Sequence, residues 1–144
     1  MTQEEKQLLL ADLCARLPYG VILQLSLLEE NTTDCRLTGI DEDGYLTADV
    51  PADCVFSVDD VKPYLRPLSS MTEEEKHYID NRWGADNYGD IITYSSYESG
   101  VSTVELADIV GFHDWLNRKM FDYRGSIPKG LALEAPEGMY KVDE

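Results

Sequence analysis

The chain has 144 residues, 43% hydrophobic and 28% charged, with 12 Lys plus Arg against 28 Asp plus Glu and a formal net charge of −16. That length and composition suit one globular domain and argue against wholesale disorder. The charge repels phosphate backbones, so direct binding to DNA or RNA is not expected. A basic protein partner fits the charge, as does a nucleic-acid-binding protein whose groove the chain occupies.

Thr2 and Glu5 form a capping-box pattern, which predicts a helix from there to Pro18. Leu8, Leu9, Asp12, Leu13, Arg16 and Leu17 recur along it at helical spacing, and the apolar members make one stripe. Tyr19 to Leu28 reads as a strand, and Cys35, Leu37 and Ile40 resume an approximate alternation in a second. Asp43-Gly44 is a tight-turn signal, followed by a third strand at Tyr45 to Ala48 and a short fourth at Val55-Phe56. Ser57 to Asp60 suits a single helical turn, with Tyr64-Leu65 extended beyond it. Short strands, tight turns and one late helical turn suggest a small SH3-like barrel, and a plain antiparallel meander fits as well.

Pro63, Pro67 and Ser69-Ser70 read as a stiff connector. Thr72 with Glu75 opens a second helix to about Trp83, and Ile91 to Tyr94 suits a strand. Ser102 with Glu105 opens the longest helix, about 103 to 121, with Leu106, Ile109, Val110, His113, Leu116 and Met120 on its apolar stripe. Ser126 to Glu144 contains Pro128, Gly130, Pro136 and Gly138 and should be extended, with Leu131, Leu133, Met139 and Tyr140 holding it across the body. The expected fold is therefore α+β: an N-terminal helix, a small sheet (about 19–68), two further helices (about 71–125) and an extended tail (126–144). It makes one acidic domain over 1–144, because residues 1–72 carry 13 acids and 5 bases and residues 73–144 carry 15 and 7, so each half contributes −8.

Three stretches, LCARLPYGV (13–21), KPYLRPLSSMTEEE (62–75) and FDYRGSIPKGLALEAPEGMY (121–140), resemble a group of short bacterial proteins associated with phages and other mobile elements of anaerobic gut bacteria. The resemblance implies a cellular context and no activity. Relatives are expected to carry a histidine pair just before the FDYRG stretch, where this chain has Lys119 and Met120. No role for those histidines carries over.

The residues that bear chemistry are sparse. The N-terminus does not read as a signal peptide, and no run approaches 18 consecutive apolar residues, so a cytoplasmic protein without a membrane span is expected. Cys14, Cys35 and Cys54 lack CxxC pairing, which suits a reducing compartment, and they read as small buried hydrophobes. Glu74 and His77 give one E-x-x-H pair where a di-iron carboxylate site needs two, so no metal is assigned. His113 sits on the long helix's stripe beside Asp114 without a marked nucleophile, so no catalytic residue is assigned. A small hydrolase or metal-dependent enzyme using His113 or His77 with nearby carboxylates is the alternative to a binding protein. Neither a GxxxxGK[ST] nor a GxGxxG loop occurs, so no nucleotide cofactor is expected.

The concentrated feature is acidic: ten acids lie between Glu29 and Asp60 against Arg36 alone. Asp41, Glu42, Asp43 and Asp49 are the candidate partner-binding acids, on strands that would gather them on one solvent face. Trp83, Tyr88, Tyr94 and Tyr97 form the candidate aromatic contact patch, because Trp and Tyr combine apolar area with a polar tip. The expectation is a non-enzymatic, acidic interaction or accessory factor.

Overall fold

The computed structural model describes residues 1–28, 31–50, 54–83 and 106–140; at 27, 28, 80, 83 and 106–109 it describes the backbone alone. Contacts divide the chain into two units, Met1–Pro67 with Asn117–Glu144, and Leu68–Leu116.

The first unit opens with α1 (Gln3–Arg16). Glu5 N donates to Thr2 Oγ1 at 3.1 Å and Thr2 N donates to Glu5 Oε1 at 2.8 Å. This reciprocal cap satisfies the first orphan N–H groups and is the box expected from sequence. Pro18 cannot extend the helical ladder, so the chain tightens into a 3-10 turn, Leu17–Tyr19. Gly20 leaves that turn at φ +78°, a left-handed angle that costs glycine nothing. The first strand therefore starts at Ile22 rather than Tyr19.

β1 (Ile22–Leu28), β2 (Asn31–Ile40) and β3 (Leu46–Ala48) pair antiparallel in succession. In β2, Cys35 and Leu37 are buried while Asp34, Arg36 and Thr38 are exposed, the period-2 pattern of a sheet with one face on a core. Phe56 forms a single bridge to Leu46 where a fourth strand was expected. A 3-10 turn, Val58–Asp60, follows and is capped by Ser57, whose Oγ accepts from Asp59 N at 3.0 Å. The chain then enters β4 (Val61–Pro67), which pairs antiparallel with β1. The turn thus carries the chain from the β3 edge of the sheet to the β1 edge.

Neither the closed barrel nor the plain meander is realised. β4 lies beside β1, and β5 (Phe121–Asp122) and β6 (Leu133–Glu134) pair with it in parallel. C-terminal residues thus take the pairing groups that closure would have used. The product is a mixed six-stranded sheet of order β3-β2-β1-β4-β5, with β6 also on β4. Pro63 and Pro67, expected in a connector, sit within β4. The tail is not simply extended: it contains β6 and several turns. It does lie on the sheet, as expected, with Ala135 N donating to Leu65 O at 2.8 Å. α1 covers a core built from Leu9, Leu13, Val21, Leu23, Leu37 and Leu46.

Tyr140 completes the β1–β4 seam. The ladder pairs Leu23 with Pro63 and goes no further. There Ile22 N donates to the Tyr140 hydroxyl at 2.8 Å, and that hydroxyl donates to Tyr64 O at 2.7 Å. One phenol stands in for a missing rung between two strands. Burial pushes its ionisation up from the ordinary tyrosine value.

The second unit holds a 3-10 turn (Leu68–Ser70), α2 (Glu73–Trp83) and most of α3 (Leu106–Arg118). The Thr72–Glu75 box forms as expected, with contacts of 2.9 and 3.1 Å. Trp115 stacks on Tyr78 at 5.6 Å and on Phe112 at 6.3 Å between ring centroids. The buried face of α3 carries Phe112, Trp115 and Leu116, whereas Val110, placed on the apolar stripe from sequence, is 52% exposed. The helix stops at Arg118 rather than 121. Met120 turns to φ +65° and Phe121 enters β5. The strand expected at 91–94 and the Ser102–Glu105 cap lie outside the described residues.

Candidate functional site

The candidate acids lie in and beside the β2–β3 hairpin, and they divide into two kinds. Asp41 Oδ1 accepts from Asp43 N and from Tyr45 N, both at 2.9 Å, which makes it the turn's own fastener. Asp49 Oδ1 accepts from Arg36 N at 2.8 Å and ties the end of β3 back to β2. Glu42 and Asp43 are exposed, and their carboxylates make no hydrogen bond or ion pair among the described residues. They are the two acids of the predicted set that are left to solvent or a partner. Glu29, Glu30 and Asp53 lie outside the described residues.

Beside this hairpin are apolar side chains that the sequence reading did not single out. Tyr45 is 50% exposed, Val55 60% and Val50 47%. Tyr45 and Val55 each adjoin a buried residue, Leu46 and Phe56, and those two residues bridge to one another. The signal was present in the alternation around Leu46 and Phe56, but it needed the bridge between them to be read.

A groove of about 340 Å³ runs between α1, the hairpin turn and the 3-10 turn. Gln3, Lys6, Gln7 and Leu10 line it from one face of α1. Asp43 and Tyr45 form the hairpin wall, and Ser57 and Asp59 form the third. Gly44, at φ +84°, lets the turn approach closely: a Cβ there would lie 3.2 Å from Leu10 Cδ2. Lys6 Nζ pairs with Asp59 Oδ2 at 3.2 Å across the groove, a solvent-exposed pair that adds little stability.

The predicted aromatic patch is not assembled among the described residues. Tyr88, Tyr94 and Tyr97 lie outside them, and of Trp83 only the backbone at the end of α2 is described. His77 and Glu74 are exposed on α2, and His113 is half-buried on α3 beside an exposed Asp114. No three His, Cys, Asp or Glu side chains gather into a metal-binding group among the described residues. Of the cysteines read as buried hydrophobes, only Cys35 is buried; Cys14 is exposed and Cys54 half-buried. Burial pushes the Cys35 thiol up to about 11. No helix among the described residues is long and apolar enough to cross a membrane.

A polar junction that sequence reasoning missed lies under α1. Asp12 and Arg16 are both fully buried and face each other one helical turn apart, Arg16 Nε donating to Asp12 Oδ2 at 2.9 Å. Arg124 Nε donates to Asp12 Oδ1 at 3.0 Å. Arg16 Nη2 also donates to Phe121 O at 2.6 Å. The guanidinium carbons of Arg16 and Arg124 lie 5.2 and 5.3 Å from the centroid of the Tyr123 ring. The Tyr123 hydroxyl donates to Asn117 Oδ1 at 2.6 Å, and burial raises its ionisation. Asp122 accepts from Ser126 N and Ile127 N, both at 2.9 Å, and folds the next turn. Arg66, from β4, lies 4.1 Å over the Phe121 ring. The stretches 13–21, 62–75 and 121–140 each send side chains into this junction. It is a structural clasp: each oxygen of the Asp12 carboxylate accepts from one of two guanidinium groups.

No protein-family model, curated protein or solved structure matches this chain.

Proposed function

We propose that this chain is an acidic, non-enzymatic accessory factor that binds a basic protein through the β2–β3 hairpin face, and that it serves a phage or other mobile element. The observation that carries the reading is the composition of that face. Exposed Glu42 and Asp43, whose carboxylates make no hydrogen bond or ion pair among the described residues, share the hairpin region with exposed Tyr45 and Val55 on a chain of net charge −16. Interfaces combine aromatic and apolar anchors with a charged rim, and opposite charge steers encounter. The resemblance of 13–21, 62–75 and 121–140 to mobile-element proteins suggests the context.

A tagged-protein capture from lysate of the source cells tests this, at low salt and at about 0.3 M, where screening shortens the reach of exposed charges. The reading expects an identified basic protein that is released as salt rises and that is lost with Glu42→Lys/Asp43→Lys. A partner held equally at both salts, or retained by the charge-reversed protein, refutes it.

A further inference from the structure

We propose that the groove between α1, the hairpin turn and the 3-10 turn is an anchor site for an arginine side chain of the protein partner. This rests on the reading above and specifies which chemistry the acidic face selects.

The groove contains three charged side chains. Lys6 and Asp59 neutralise one another at 3.2 Å. The carboxylate of Asp43 has no such partner among the described residues, so the groove holds one uncompensated negative charge. The positive end of α1 is already met by Thr2 and Glu5 of the capping box, so it does not offset Asp43. A cation is therefore the complementary occupant.

The walls favour a flat cation with several donors over a point charge. Tyr45 supplies a half-exposed aromatic ring next to Asp43. A guanidinium stacks on such a ring while its N–H fork meets a carboxylate, and an ammonium gains less from this pairing of ring and acid. Gln3 and Gln7 add side-chain carbonyl acceptors from α1 for the remaining N–H groups. Leu10 packs against the core from the helix side and offers apolar contact for an aliphatic stem. A volume of about 340 Å³ lies at the small end of ligand sites, which suits one side chain rather than a folded segment. Gly44 is the enabling residue, because its left-handed angle sets the turn carrying Asp43 and Tyr45 close against Leu10.

The test is a titration of the isotopically labelled full chain with hexa-arginine and hexa-lysine peptides at low salt, followed by amide chemical shifts. Hexa-arginine should bind several-fold tighter than hexa-lysine and shift residues 3–10, 43–45 and 57–59. Asp43→Asn keeps a turn-compatible side chain, and Tyr45→Leu keeps apolar area; each should weaken hexa-arginine binding by about tenfold. Glu137→Gln, an exposed acid elsewhere in the first unit, should change it less than twofold. The spectrum of each variant reports whether it is folded. If both peptides bind equally, or if Glu137→Gln matches Asp43→Asn, the groove is overturned while the acidic-interaction reading stands. If neither peptide binds at low salt, both fall.

Discussion

Replacing Asp12 by Asn should destabilise the protein more than replacing Arg16 by Met, although each change breaks the same ion pair. The asparagine amide keeps one acceptor and turns the other oxygen into a donor. One of the two guanidinium groups, held at 2.9 and 3.0 Å, then faces an N–H. Arg124 is 26% exposed and can turn to water, but Arg16 is fully buried and cannot. Removing one partner of a buried pair costs about 3–5 kcal/mol, because the other charge stays buried without compensation. Arg16→Met removes the buried cation itself and leaves Asp12 bound to Arg124. Its cost is the lost hydrogen bond to the Phe121 carbonyl, which still accepts from Tyr123 N at 3.2 Å, about 1–3 kcal/mol. It also removes Arg16 Nη1, a buried donor that has no hydrogen-bond partner among the described residues. Urea unfolding followed by circular dichroism measures both. With a slope of about 2 kcal/mol per molar, a loss of about 4 kcal/mol lowers the midpoint by about 2 M. Equal midpoints, or Arg16→Met the weaker protein, would refute the clasp reasoning.

Tyr140→Phe should cost about 1–3 kcal/mol by leaving the Ile22 N–H and Tyr64 C=O unbridged, and hydrogen exchange at the Ile22 amide should accelerate selectively. Unchanged exchange there would show that the phenol is not the rung. Both Tyr140 and Cys35 ionise above their ordinary values of 10.0 and 9.0. Their contribution is therefore complete below about pH 9 and is lost as pH rises through the folded values, beginning with Cys35 towards 11. Stability should fall over that window, and Cys35→Ala should flatten the first part of the decline. At pH 8 the thiolate fraction of Cys35 is about a hundredfold below that of a thiol titrating at 9.0, so iodoacetamide should label exposed Cys14 well before Cys35.

Local signals were legible in the chain wherever one segment sufficed to satisfy them. Thr2–Glu5 and Thr72–Glu75 close their caps, Asp43-Gly44 makes its turn, and Ser57–Asp60 makes its helical turn. What failed depended on distant partners. Asp12 and Arg16 stand at helical spacing among leucines, and only the arrival of Arg124 and the Phe121 carbonyl explains how charges survive there. β5 has two residues, too few for periodicity, and exists because Arg66 N reaches Met120 O. On the predicted stripe of α3, Leu116 and Met120 are buried but Val110 is not, because Trp115 and Phe112, which stack on one another, take the buried face of that part of the helix. For the site, the acids were legible but their division was not. Composition counts Asp41 and Asp43 alike, and only the backbone N–H groups around Asp41 separate a fastener from a free charge.

The Tyr140 rung has a consequence for how the protein is made. Ile22 and Tyr140 are 118 positions apart, and Arg16 waits for Phe121 across 105. At about 5–20 residues per second, a ribosome delivers the tyrosine roughly 6 to 24 s after the strand it completes. During that interval α1 holds Asp12 and Arg16 without their later partners, and β1 ends in an open seam. The nascent chain therefore carries an unfinished sheet edge until residues 121–140 emerge, and trapping of the emerging chain by chaperones should cease only as they leave the exit tunnel.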